Sequence, residues 1–188
     1  MTRALAGIFV GGGGTRMGGR PKGLLRAPDG TPLAERLRRL LVEVGADVVL
    51  VGASEAYSAM RLPSVADDPP GVGPLGGLGG LLRSAGDRPV LAVACDLPYV
   101  SAGLLHRLLQ AGAAPIVAPM RDGRWEPLCA RYTPGAVLPV LARLLGARRH
   151  ALQALLDEAH AVPLAVSVQE SLELRDWDAP GDVPPTES

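Results

Sequence analysis

The sequence predicts an α/β fold with a mostly parallel central sheet, and three observations carry that prediction. Short apolar runs alternate with segments of helical periodicity at βαβ spacing. Several of those runs are continuously apolar, as strands covered on both faces are. The two segments with chemical character, Gly11–Gly23 and Asp96–Pro98, each follow directly on a predicted strand. Ligands of parallel sheets bind beyond the carboxyl ends of the strands, which puts both segments on one rim.

Element by element, Ala4–Val10 reads as a buried strand running into the glycine loop. A turn at Pro28-Asp29-Gly30 follows, and Pro32 suits a helix start. Leu33, Leu37, Leu40, Leu41 and Val44 recur at helical spacing until Gly45. Asp47–Gly52 is a buried strand, with a short helix near Glu55–Met60 and a short strand at Ser64–Ala66. A Gly/Pro-dense segment, Asp67–Gly80, leads into a helix expected at Leu78–Ser84. Then come a strand at Val90–Cys95, a helix near Ser101–Ala111, a strand at Pro115–Ala118 and a strand at Trp125–Tyr132. Two helices, Pro134–Leu145 and Arg148–Ala159, precede an expected strand pair, Val162–Val168 with Ser171–Leu174. Residues 1–183 are read as one domain and 184–188 as a frayed, polar tail.

Composition bounds the function. At 188 residues, 47% hydrophobic and 20% charged, the chain can bury a real core and is not a disordered one. No apolar run reaches the roughly 18–20 residues that span a bilayer. The start MTRALAGIFV runs into glycines instead of a cleavage site, so a buried strand explains it better than a signal peptide. Two cysteines make neither a disulfide framework nor a metal cluster, and a reducing cytoplasm is the expected location. Zero formal net charge offers no bulk attraction to nucleic acid or to an anionic membrane. The three histidines show no ligand spacing, and no serine sits in a G-x-S-x-G elbow.

Lys22 is the one lysine among 19 basic Lys and Arg residues. Where arginine is so strongly favoured, a lysine retained on a glycine loop suggests a need for a compact, mobile point charge. The loop itself brings backbone N–H groups close to an anion, as a phosphate chain requires. It is not a Walker loop, because Gly19 follows Gly18 where that motif needs lysine. The dinucleotide fingerprint G-x-G-x-x-G also fails, its last position falling on Arg16 or Met17. What remains is G-G-x-x-x-R-M-G-x-x-x-K, with Arg16 and Lys22 as two cations for phosphate oxygens. Preorganised donors of this kind stabilise the charge that builds up in nucleotidyl transfer.

The run FVGGGGTRMGGRPKGLL resembles the signature of the molybdenum cofactor guanylyltransferases, and the resemblance covers nearly the whole chain. It implies a Rossmann-like three-layer α/β/α nucleotidyltransferase fold and Mg²⁺-dependent transfer of GMP from GTP to the phosphate of molybdopterin cofactor. Lys22, Arg16 and Asp96 are then the catalytic candidates, with Asp96, in Cys-Asp-Leu-Pro, as the Mg²⁺ ligand. The GTP-binding candidates are Phe9, Val10, Gly11, Gly12, Gly13, Lys22, Asp67, Gly73, Pro74, Leu75, Gly76 and Asp96. Asp67 fits the family spacing better than Asp68, and Gly73-Pro74-Leu75-Gly76-Gly77 favours GTP over CTP. On the acceptor side the resemblance singles out Glu126, Arg149 (with Arg148 as the near alternative), Asp176 and Asp178. The last two stand where the family carries asparagine, and Phe9-Val10, Pro21 and Ala53 are further departures. The implied partners are GTP and molybdopterin cofactor, then other cofactor-biosynthesis proteins and molybdoenzymes, with no nucleic acid and no membrane. Alternatives left open are CTP or a sugar phosphate as substrate, and a non-catalytic nucleotide-binding relative.

Overall fold

The computed structural model describes residues 3–11, 21–52, 55–177 and 180–182. Among them, one mixed sheet is sandwiched between two helical layers. Strand β1 (Leu5–Phe9) lies between parallel neighbours β2 (Asp47–Val51) and β4 (Val90–Ala94), and β3 (Ser64–Val65) extends β2. The full order is β3-β2-β1-β4-β7-β5-β6, where β5 is Ile116–Arg121, β6 Arg124–Trp125 and β7 Cys129–Tyr132; β8 (Val162–Leu164) pairs with β5. Four of the seven ladders are parallel; the three formed by β6 and β7 are antiparallel. The parallel expectation therefore describes the first half of the chain, and a hairpin interrupts it in the second.

The alternating faces of β1 feed two cores. Ala6, Ile8 and Val10 pack with Leu37 and Leu41 of α1 (Leu33–Glu43) and with Leu104, Leu105 and Leu108 of α3 (Ala102–Gln110). Leu5 and Phe9 pack with α2 (Pro74–Ala85), α4 (Pro134–Gly146) and α5 (Leu152–Glu158). This is the three-layer arrangement the resemblance implies.

Strand β5 runs on to Arg121 and α5 starts at Leu152 instead of Arg148, and three further elements differ from the sequence reading for a clear physical reason. Helix α2 begins at Pro74, not Leu78, because proline suits the first turn and Gly73 takes a positive φ of 65° just before it. The expected strand Trp125–Tyr132 is split at Glu126–Leu128, where Glu126 N–H donates to Pro119 C=O at 3.0 Å and Cys129 N–H to Glu126 C=O at 3.1 Å. The expected terminal strand pair is instead β8 followed by helix α6 (Val168–Glu173). A reciprocal capping box between Ser167 and Glu170 nucleates that helix and overrides the β-branched composition.

Candidate active site

The described ends of the glycine segment, at Gly11 and at Lys22, lie at the same rim as the Asp96 turn. Phe9 and Ala94, the last residues of β1 and β4, are register partners, and Cys95 N–H donates to Phe9 C=O at 3.1 Å. The chain leaving β4 therefore turns beside the start of the glycine loop. Of that loop, Gly11 is described; Gly12, Gly13 and Arg16 lie outside the described residues, as do Asp178, Ala53 and the tail at 184–188.

Lys22 and Asp96, 74 residues apart in sequence, are in contact: Lys22 Nζ donates to Asp96 Oδ2 at 3.0 Å. Each side chain is 20% exposed, so the pair is sheltered yet open to a ligand. Lys22 opens a single 3-10 turn, Lys22–Leu24, whose Gly23 N–H donates to the buried Tyr57 Oη at 3.1 Å. A Cβ at Gly23 would lie 2.9 Å from both Tyr57 Cε1 and Oη, so glycine is needed for that contact. Burial pushes the Tyr57 phenol up to about 12, keeping it a neutral support. Burial, reinforced by the Asp96 charge, also pushes the Cys95 thiol up to about 12, which leaves it a protonated core residue instead of a nucleophile.

Asp96 is anchored from its backbone as well. Its C=O accepts from Trp177 N–H at 3.0 Å. Trp177 is buried with Ala27 and Leu33 and meets Tyr99 edge-to-face at 6.1 Å. The C-terminal segment thus ties the Asp96 turn to the chain just after Lys22.

The nucleotide candidates Phe9, Asp67 and residues 73–76 gather around the start of α2. A Cβ at Gly77 would lie 3.1 Å from Phe9 Cε1 and 3.3 Å from Asp67 Oδ1, so those two side chains border one spot on α2. Asp68 turns away and pairs with Arg83 at 3.1 Å. The two neighbouring carboxylates thus face different surroundings, Asp67 toward α2 and Phe9 and Asp68 toward Arg83. Gly73 and Pro74 are exposed at the start of α2, whereas Leu75 and Gly76 are buried. Gly76 donates its N–H to Gly73 C=O and accepts from Asp68 N–H, both at 2.9 Å, so its backbone polar groups already serve the fold.

A second cluster assembles beyond β4. Arg121, the last residue of β5, donates Nε to Glu126 Oε1 at 2.8 Å and Nη2 to Asp176 Oδ1 at 3.3 Å. Glu126 sits on the break between β6 and β7, which is pinned by Tyr132 Oη donating to Pro127 C=O at 2.6 Å. Ala94 N–H donates to Leu128 C=O at 2.7 Å, fastening the same break to the end of β4. Burial, with the charges of Asp176 and Asp96, raises the Glu126 carboxyl above its usual range against the opposing pull of Arg121. Burial works against the Arg121 cation, but Glu126 and Asp176 outweigh it and hold its pKa up. Arg149 does not join this cluster. It pairs with Glu158 at the connection of α4 to α5. Sequence reasoning missed Arg121, Tyr57 and Trp177. The only local signal for Arg121 was the Asp122-Gly123 turn after it, whose positive φ angles (51° and 76°) close the β5–β6 hairpin.

Among the described residues no group of three or more His, Cys, Asp or Glu is placed to hold a metal ion. No helix among them is long and apolar enough to cross a membrane.

Known proteins resemble this chain over most of its length. The family model of the MobA-like NTP transferase domain matches residues 6–162. A molybdenum cofactor guanylyltransferase of Pseudomonas putida is 37% identical over 160 residues, covering 81% of this chain and 82% of that protein. A probable molybdenum cofactor guanylyltransferase of Opitutus terrae is 33% identical over 190 residues, covering 95% and 93%. Molybdopterin-guanine dinucleotide biosynthesis protein A from Archaeoglobus fulgidus, a crystal structure, superposes with a TM-score of 0.76 over 95% of this chain and 94% of that one. At 23% identity that last likeness speaks for the fold alone. By its family match and its curated relatives, the chain belongs to the MobA-like NTP transferases and is a nucleotidyltransferase.

Proposed function

We propose that this chain transfers GMP from GTP to the terminal phosphate of molybdopterin cofactor, yielding the guanine dinucleotide cofactor and pyrophosphate. The observation that carries the reading is the contact of Lys22 with Asp96 at the shared rim of β1 and β4. An ammonium and a carboxylate held together beside a glycine loop suit a triphosphate and its counter-ion.

In the reaction an oxygen of the acceptor phosphate attacks the α-phosphorus of GTP in line. The new P–O bond forms as the bond to the β-phosphate bridging oxygen breaks, and the electron pair departs on pyrophosphate. The attacking phosphate is already ionised at neutral pH, so no side chain need remove a proton. Lys22 neutralises charge on the phosphates as they separate. By resemblance, Arg16 and the loop N–H groups add donors, and Asp67 and the Gly73–Gly77 segment border the guanosine.

The site suits Mg²⁺, which takes hard oxygen ligands, keeps several waters and binds phosphate oxygens as well, so that one carboxylate is an adequate protein anchor. Asp96 offers that carboxylate, and the divalent ion held there would withdraw charge from the phosphate oxygens. The cytoplasm is the proposed compartment, in keeping with two buried, unpaired cysteines, Cys95 and Cys129. Proteins that deliver and receive the cofactor are the further proposed partners.

Pyrophosphate release from each nucleoside triphosphate in the presence of molybdopterin cofactor and Mg²⁺ tests the reading. Turnover with GTP well above CTP is the expected result. Equal turnover with CTP, or a requirement for a sugar phosphate, would reassign the substrate, and binding of GTP without turnover would mark a non-catalytic relative.

A further inference from the structure

The acceptor side of the site contains a cation that the family pattern does not single out. Strand β5 runs parallel to β4, because β7 between them is antiparallel to both. Its last residue, Arg121, therefore stands at the same rim as Asp96, at the carboxyl end of a strand where ligands of such sheets bind. We propose that Arg121 receives the terminal phosphate of the acceptor and sets the preference for a phosphorylated one; this rests on the reaction assigned above.

The guanidinium is held in place without being used up. It carries five N–H donors in a rigid fork, and its two ion pairs occupy one on Nε and one on Nη2. Three donors remain on a side chain that is 29% exposed. Its two carboxylate partners come from different elements, Glu126 from the break before β7 and Asp176 from the C-terminal segment, so they fix the plane of the fork from two sides. The next residue after Asp176, Trp177, donates to Asp96 C=O at 3.0 Å, which places the cluster beside the Asp96 turn.

Charge sets the condition on the site: Glu126 and Asp176 repel an incoming phosphate, so Arg121 can hold it only where one of those carboxylates gives way. The Asp176 contact is the longer of the two at 3.3 Å, and that carboxylate is 42% exposed, so it is the partner that yields when a phosphate arrives. Arg149, which the family pattern offers for this task, is 56% exposed and already committed to Glu158.

The test uses the whole chain and two acceptors, molybdopterin cofactor and its dephosphorylated form. Wild-type protein should bind the phosphorylated acceptor at least about tenfold more tightly, the size of one charge-assisted phosphate contact. Arg121→Ala should abolish that difference while leaving affinity for GTP and for the dephosphorylated acceptor within about twofold. Arg121→Lys should restore part of it, since a point charge remains but the fork is lost. Loss of affinity for both acceptors and GTP alike would reduce Arg121 to a structural brace and overturn the proposal. So would an Arg121→Ala variant that still prefers the phosphorylated acceptor, or a preference that disappears in Arg149→Ala instead. These binding readouts stand apart from turnover: a wild-type chain that shows the Arg121-dependent preference but releases no pyrophosphate refutes the assigned reaction and keeps the phosphate site.

Discussion

The two halves of the site are built by different physics. On the nucleotide side, β1, β2 and β4 lie in register as parallel neighbours, helix α2 packs its leucines on them, and its glycines meet residues 66–69 through bare backbone contact. A Cβ at Gly76, Gly79 or Gly80 would approach the carbonyl oxygens of Pro69, Asp68 and Ala66 to between 2.1 and 2.3 Å, so three glycines let residues 66–69 lie directly on the helix. On the acceptor side, Arg121, Glu126 and Asp176 come from three separate segments and are joined by ion pairs. The first half is positioned by main chain and is rigid by packing. The second is positioned by side-chain charge and answers to whatever charge enters it. A site that must hold one triphosphate firmly and exchange a larger acceptor has use for both.

The largest expected effect falls on the packed half. Lys22→Ala removes the cation facing the transferred phosphates and should lower kcat by about three orders of magnitude. The thermal midpoint should stay near wild type, because the Lys22–Asp96 pair is partly solvated and contributes little to folding. Turnover close to wild type in that variant would show that the rim of β1 and β4 does not carry the chemistry.

Next in size is a test of the packing itself. Gly80→Ala places a methyl where Ala66 C=O sits 2.1 Å away, and backbone cannot swing aside as a side chain can. Overpacking of this kind costs about 1–3 kcal/mol, enough to lower the thermal midpoint by several degrees. Affinity for GTP should fall with it, since residues 66–69 carry Asp67 toward Phe9. By contrast Gly86→Ala lies in open space on the same stretch, but at a φ of 61°, so its cost is backbone strain with GTP affinity unchanged. Equal loss of GTP affinity in both variants would mean that stability, not the seating of Asp67, is being measured.

How much of this was legible in sequence follows the same division. The shared rim of the Gly11–Gly23 and Asp96–Pro98 segments could be read from the strands alone, whereas Lys22 stood out as the one lysine and Asp96 by family resemblance. Their direct contact at 3.0 Å is the three-dimensional consequence. The start of α2 was misplaced for a physical reason: glycine is a poor helix former, and Gly76, Gly77, Gly79 and Gly80 look like loop until the facing carbonyls are known. The α6 error is of another kind, because Ser167 and Glu170 at capping-box spacing were there to be read against the valines around them. Arg121 had only the Asp122-Gly123 turn beside it, which marks a hairpin and not a site. Its partners lie 5 and 55 residues away. Arg149 was picked from family position, and only the structure shows its charge already committed to Glu158.

The smallest expected effect sharpens the electrostatic half. Burial raises the Glu126 carboxyl, and the neighbouring Asp176 and Asp96 push in the same direction. A carboxyl whose pKa is higher in the folded than in the unfolded chain binds its proton more tightly when folded. Its stabilising contribution is therefore complete below the ordinary carboxylate value of 4.5 and is lost as pH climbs through the folded value. Glu126→Gln removes that titration while keeping the shape of the side chain and an oxygen for Arg121. Thermal midpoints measured from pH 4 upward should decline less steeply for the variant than for wild type over the acidic part of the range, with the packed half unaffected and GTP affinity unchanged. Parallel curves would mean that Arg121 already holds Glu126 fully ionised across that range, and that the acceptor side is as fixed in its charge as the nucleotide side is in its backbone.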